Sequence, residues 1–243
     1  MYDLAVRSLE ELTEYLAVEP YHVIQGEGRY IGLPTTLIRF SICNLHCNFC
    51  DAYPLWTNKQ IFSASDILKR IKHNMLFTGG EPMLTKYRQQ FITVIINEFR
   101  KQKPDAIAEI ETNGTKEIID ELYQAITQIN ISPKEKRYQT NKDIKIEYKL
   151  VEQLTAENSE KFIIKFVYDT TEANKRFILS FVDRYKLPSY RVYIMPEGAT
   201  IERLQETMEK ACDFALQHGF IFTPRLHILL GRRYIQNWPS IDL

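Results

Sequence analysis

Cys43-Asn44-Leu45-His46-Cys47-Asn48-Phe49-Cys50 holds three of the chain's four cysteines, with gaps of three residues and then two. A structural zinc site takes four ligands, so three close thiolates fall one short of it. Three thiolates on a four-iron cluster instead leave one iron open to a small molecule. His46 would be the fourth ligand of the zinc reading, yet it lies between two of the cysteines, where another ligand arm is hard to fit. The spacing favours the cluster, and the flanking sequence decides between the two. Upstream, Thr35 to Phe40 is a short apolar run that delivers the chain into the cysteines. Downstream, Met75 to Thr78 reads as a strand entering Gly79-Gly80.

Outward from this stretch, strand-like and helix-like segments alternate. Further strands are expected at Ala106 to Glu111, Thr127 to Ile131, Lys161 to Tyr168 and Arg191 to Met195. Helices are expected at Ser63 to Lys72, Tyr87 to Lys101, Lys116 to Ala125, Ile144 to Leu154, Thr171 to Tyr185 and Thr200 to His218. Ser63 and Asp66 have capping-box spacing, and Gly219 ends the last helix. Glu135 to Lys142 is a polar insert, expected as a mobile surface loop. About six βα units follow from the alternation, and they imply a parallel sheet with right-handed crossovers. Six units are too few to close an eight-stranded barrel, so the expected fold is an α/β open partial (βα)6 barrel with a mostly parallel sheet. No repeat, linker or low-complexity tract interrupts it, which leaves residues 1–243 as a single domain with its core over about 21–233.

Composition narrows the class. The chain has 243 residues, 44% hydrophobic, enough for one sizeable core. Lys+Arg and Asp+Glu are both 31, for a formal net charge of zero, which gives no reason to expect a nucleic-acid partner or a membrane surface. No apolar run approaches the length of a membrane span, and Met1 to Glu19 reads as an acidic amphipathic start rather than a signal peptide. Clustered cysteines argue against a secreted disulfide framework and for a reducing, cytoplasmic compartment. Cys212 shares a helical pattern with Leu204, Met208, Ala211 and Ala215 and is expected as a buried structural thiol.

The chemistry-bearing residues fall at successive strand ends, where parallel α/β sheets place ligands. These are the three cysteines, then Thr78-Gly79-Gly80-Glu81-Pro82, Glu111-Thr112-Asn113-Gly114, Ser132-Pro133-Lys134 and Met195-Pro196-Glu197-Gly198. Each alone is an ordinary turn. The three-cysteine loop followed by Gly79-Gly80-Glu81-Pro82 resembles the radical S-adenosylmethionine (SAM) superfamily. Gln25-Gly26-Glu27-Gly28, Arg39 in the first strand, Ser132-Pro133-Lys134 and Pro224-Arg225-Leu226-His227 narrow the resemblance to the 7-carboxy-7-deazaguanine synthase family, over roughly Tyr21 to Arg233.

That resemblance implies a [4Fe-4S] cluster on Cys43, Cys47 and Cys50 and SAM on the fourth iron, with reduction yielding a 5′-deoxyadenosyl radical. Phe49, Gly79, Gly80, Glu81, Asn113, Ser132 and Lys134 are the implied SAM-side residues. Gly79 and Gly80 would let backbone approach the SAM methionine moiety. Glu81 would face its amino group or cap a turn, and Phe49 would face adenine or pack under the cluster. Ser132 and Lys134 suit ribose or a carboxylate, against a plain solvated lysine. The implied substrate is 6-carboxy-5,6,7,8-tetrahydropterin, ring-contracted to 7-carboxy-7-deazaguanine with loss of ammonia in queuosine- and archaeosine-type biosynthesis. Ile24, Gln25, Gly26, Glu27, Arg39, Thr78 and His227 are the implied substrate contacts. Arg39, a charge in an apolar strand, needs a partner, and a substrate carboxylate or a structural acid would serve. His22, His73 and His218 are assigned to core or surface. An electron donor such as flavodoxin or ferredoxin and a homodimer are the implied partners.

The chain departs from the family in two places. Relatives carry a hydroxyl residue after the aspartate that follows the last cysteine, and it helps hold a magnesium ion. Here the pair is Asp51-Ala52, so magnesium would rely on Asp51, water and substrate, or be absent. The tail beyond Gly231 also differs from the family ending. The alternatives are another radical SAM enzyme, such as a glycyl-radical activase, and a non-enzymatic zinc or electron-transfer module.

Overall fold

The computed structural model describes residues 8–48, 50 and 58–231. Among these, ten strands form one sheet in the order β10-β9-β8-β7-β6-β5-β3-β1-β4, with β2 beside β3. The six expected strands are all present, as β3 (Pro34–Phe40), β5 (Asn74–Gly79), β6 (Ala108–Thr112), β7 (Gln128–Ile131), β8 (Phe162–Tyr168) and β9 (Val192–Pro196). They pair in parallel from β3 to β9, and the short β10 (Ile221–Phe222) extends the parallel run. The order does not return on itself, so the barrel is open, as expected. An antiparallel flank of β1 (Thr13–Leu16), β2 (Tyr21–Ile24) and β4 (Gln60–Ser63) was not foreseen. The expected amphipathic start thus contains a strand, and Met1 to Arg7 lie outside the described residues.

Side chains alternate across each strand, and the two faces differ in kind. Met75, Phe77, Ala108, Ile110, Ile129, Ile131, Ile164 and Phe166 join the main core cluster against the helices. Their neighbours Thr78, Glu109, Gln128, Asn130 and Lys165 are also buried, so the opposite face is polar and covered. Its lower part is closed by a small apolar cluster of Tyr21, Val23, Leu37 and Leu76.

The helices are α1 (Ala64–Leu68), α2 (Lys86–Gln102), α3 (Asp120–Ala125), α4 (Lys149–Ala156), α5 (Glu172–Arg184), α6 (Ile201–His218) and α7 (Leu226–Leu229). Ser63, Thr171 and Thr200 cap their helices by accepting backbone N–H groups, and Gly219 closes α6 with φ +68°. Three expected helices are shorter than their patterns. α1 stops at Leu68. α3 begins only at Asp120, because the Gln89 and Gln153 side chains take the backbone groups of Glu117, Ile118 and Ile119. α4 begins at Lys149, after Tyr148, whose φ of −98° and ψ of 62° lie outside the helical region. Cys212 is half-buried rather than buried, since the inward stripe of α6 is Leu204, Thr207, Ala211, Phe214 and Ala215.

The insert from Glu135 to Lys142 is not a free surface loop. It forms a 3-10 turn over Lys136–Tyr138, and Gln139 pairs in an antiparallel bridge with Cys47. Glu135, Arg137 and Asp169 anchor it through ion pairs of 2.6 and 2.8 Å.

Candidate active site

The cysteine loop leaves the C-terminal end of β3, and the glycine pair leaves the adjacent end of β5. Phe40 lies opposite Gly79 in the β3–β5 register. A side chain on Gly79 would place its Cβ 2.5 Å from the Phe40 carbonyl oxygen, and one on Gly80 would sit 2.0 Å from that of Ile42. Beside the expected approach of SAM to their backbone, these glycines have a reason within the fold itself. The space a side chain would need is already filled by the backbone that leads into Cys43, so the glycines let two strand ends close together. Gly80 N–H to Phe40 and Glu81 N–H to Ile42 seal that contact at 2.8 and 2.9 Å.

Glu81 is 1% exposed. Its carboxyl oxygens accept from Met83 N–H (2.9 Å), the Thr112 hydroxyl (2.7 Å) and Asn113 N–H (2.8 Å). Burial raises its pKa while these donors oppose the rise. Of the two expected roles, the geometry supports the internal one: Glu81 joins the end of β5 to the end of β6. Asn113 continues the chain of contacts, with its amide nitrogen 2.9 Å from Asn44 Oδ1 and 3.8 Å from Cys43 Sγ. Lys134 Nζ donates to Ser132 Oγ at 2.9 Å at the end of β7. Phe49, Asp51 and Ala52 lie outside the described residues.

Cys43, Cys47 and Cys50 are in the thiol form, each half-buried. Among the described residues no three His, Cys, Asp or Glu side chains could hold a single metal ion, so the fit to a cluster rests on the donor set. That set is three cysteines with N–H groups directed at their sulfurs: Leu45 N–H and the Asn113 amide at Cys43, and the Gln139 amide at Cys47. Thiolates and sulfide clusters are held in this way. Burial, then the Glu81 carboxyl, push the Cys43 thiol up to about 12, so loading iron there must release a proton. Alanine at position 52 has no side-chain oxygen to offer magnesium.

Of the expected substrate residues, Gln25, Glu27, Arg39 and Thr78 lie on the polar face of the sheet, while Ile24 alternates away from Tyr21 and Val23, which lie on that side. Gln25, Gly26 and Glu27 follow Ile24, the last residue of β2. A Cβ on Gly26 would lie 2.1 Å from His227 Nδ1, so the absent side chain there makes room for a ring far away in sequence. Leu226 N–H donates to the Gly26 carbonyl at 2.9 Å, which locks α7 over the segment. Thr78 donates to Glu111 Oε2 at 2.8 Å, and Arg39 is paired in register with Thr78.

Sequence reasoning gave no role to several residues of this face. Lys165, 3% exposed, bridges Glu27 (2.5 Å) and Glu111 (2.7 Å). Arg225 reaches Glu27 Oε1 at 3.0 Å. Burial works against ionisation of Glu27, but Lys165, then Arg225, outweigh it and hold its carboxyl well below the usual range. Glu109, 1% exposed, accepts from Gln25 Nε2 (3.1 Å) and Asn130 Nδ2 (2.9 Å). Burial nevertheless pushes it up to about 7. Their common signal was parity: Glu109, Glu111 and Lys165 point to the same face as Thr78.

A sequence model of the radical SAM superfamily matches residues 37–211. The 7-carboxy-7-deazaguanine synthase of Pyrobaculum aerophilum is 26% identical over 220 residues, covering 87% of this chain and 92% of its own. That of Thermoplasma acidophilum is 29% identical over 196 residues, covering 79% and 87%. That of Rickettsia prowazekii is 29% identical over 228 residues, covering 87% and 86%. Among solved structures, the crystal structure of QueE from Escherichia coli is similar with a TM-score of 0.65 at 15% identity, covering 93% of this chain and 100% of that one. At that identity the likeness concerns the fold.

Proposed function

The chain belongs to the radical SAM superfamily, and from that premise we propose that it ring-contracts 6-carboxy-5,6,7,8-tetrahydropterin to 7-carboxy-7-deazaguanine with loss of ammonia. The relatives named for that reaction span most of the chain. The observation that carries the reading is the packing of His227 against Gly26, which joins the Gln-Gly-Glu and Arg-Leu-His segments, with Arg225 on Glu27. When bound, the cluster and SAM supply the 5′-deoxyadenosyl radical, and the chain's own residues orient what surrounds it.

Gln25 and Glu27 offer an amide and a carboxylate, the donor–acceptor edge a pterin needs. Lys165 and Arg225 hold Glu27 ionised and fixed, so its acceptor lone pairs are set in place before substrate arrives. Arg39 takes the substrate carboxylate through a two-pronged guanidinium contact. Its position in register with Thr78, on the strand that leads into the cysteines, supports that role. Gly79, Gly80 and Glu81 shape the SAM side by fixing backbone, Asn113 steadies the cluster loop, and Ser132 with Lys134 meets the nucleoside end. A flavodoxin- or ferredoxin-type donor delivers the electron, and the enzyme works as a cytoplasmic homodimer without nucleic acid or membrane.

The test is substrate affinity, read as KM with carboxylated and uncarboxylated tetrahydropterin. Wild-type protein should prefer the carboxylated form. Arg39→Lys keeps the charge and loses the fork, so that preference should fall by about tenfold or more, on the order of 1–3 kcal/mol. Uncoupled SAM cleavage should survive the change. A wild-type protein that does not discriminate between the two pterins contradicts the proposed substrate.

A further inference from the structure

Gln139 is 1% exposed and handles neither substrate nor SAM in the reading above, yet it meets a cluster ligand. Its side-chain nitrogen lies 3.0 Å from Cys47 Sγ, and its side-chain oxygen accepts His46 N–H at 3.1 Å. The amide cannot be turned the other way. Rotation would set an oxygen against the sulfur and an NH2 group against a backbone N–H, two acceptors and two donors face to face. The backbone holds the same register: Asn48 N–H donates to the Tyr138 carbonyl at 2.8 Å and Thr140 N–H to that of His46 at 2.9 Å. The turn carrying Gln139 is itself tied down, since Arg137 pairs with both Glu135 and Asp169.

We propose that Gln139 sets the reduction potential of the cluster by donating a hydrogen bond to the Cys47 sulfur. One electron from the external reductant enters the oxidised cluster and leaves its sulfurs more negative. A donor fixed on one of those sulfurs stabilises the reduced form more than the oxidised one, and its weight is greater where water is excluded. The inference rests on the cluster alone, and is independent of which substrate the enzyme takes.

The experiment is a redox titration of the anaerobically reconstituted full chain without SAM, followed by electron paramagnetic resonance, with iron content measured alongside. Gln139→Met keeps length and bulk but loses the donor. At the wild-type midpoint its ratio of reduced to oxidised cluster should fall about tenfold, which is about 59 mV for one electron. An unchanged midpoint with full iron loading overturns the proposal and leaves Gln139 as a loop fastener. A second measurement needs no variant. Wild-type protein grown on nitrogen-15 glutamine should show a glutamine nitrogen coupled to the reduced cluster in pulsed resonance spectra, and absence of that coupling overturns the proposal even where Gln139→Met fails to take up iron.

Discussion

Glu109 shows what one residue costs and supplies. The folded protein keeps its carboxyl near a pKa of about 7 against 4.5 for an ordinary glutamate, burial being the main cause. Between those values the folded chain holds a proton that the unfolded chain has released, so stability falls as pH rises through the window, by up to roughly 3 kcal/mol. Glu109→Gln removes the titration and can keep both neighbours bonded if the Asn130 amide turns. Denaturant unfolding at pH 5 and pH 8 should show the variant gaining on wild type as pH rises. A difference that stays flat with pH would mean that Glu109 does not titrate in this range. Residues of this kind were hard to read ahead of the structure. Glu109 and Lys165 sit in runs such as Ala-Glu-Ile-Glu and Ile-Ile-Lys-Phe, which announce strands without saying that both faces are buried. Gln25, Gly26, Glu27 and His227 were legible because they belong to motifs; Lys165, which pairs with Glu27, does not.

At the scale of elements, the cluster loop depends on a contact with α2. Arg88 on that helix is 2% exposed. It pairs with Glu14 on β1 at 2.9 Å and donates to the Ser41 and Glu81 carbonyls, each at 3.0 Å. Its guanidinium lies over Phe40, 4.9 Å from the ring centroid. One side chain thus joins the end of β3, the turn after β5 and the antiparallel flank. Removing one partner of a buried pair strands the other, at about 3–5 kcal/mol. Arg88→Met should lose about that much in denaturant unfolding, and adding Glu14→Leu should recover part of it. A loss under about 1 kcal/mol would show that the pair does not hold these elements together. The parallel strands and the capped helices were readable from alternation, Ser and Thr caps and Gly219. The antiparallel flank was not, because four-residue strands such as Thr13–Leu16 carry too little pattern. The docking of residues 135–142 was not readable either, because it depends on one glutamine meeting a cysteine ninety-two positions away.

For the molecule as a whole, the sheet brings separate turns to neighbouring strand ends. The β3–β5 register seats the cysteine loop on the glycine pair, Glu81 and Asn113 tie that corner to β6, and the late Arg-Leu-His segment returns to cover Gln25-Gly26-Glu27. Each contact is made by residues far apart in sequence, which is why motif order was informative before any contact could be drawn. The central claim is that this assembly performs one reaction on one substrate. The most direct measurement is mass spectrometry of the products after anaerobic incubation of the reconstituted protein with SAM, a reductant and 6-carboxy-5,6,7,8-tetrahydropterin. The account predicts 7-carboxy-7-deazaguanine together with 5′-deoxyadenosine; 5′-deoxyadenosine with the pterin recovered unchanged would contradict it.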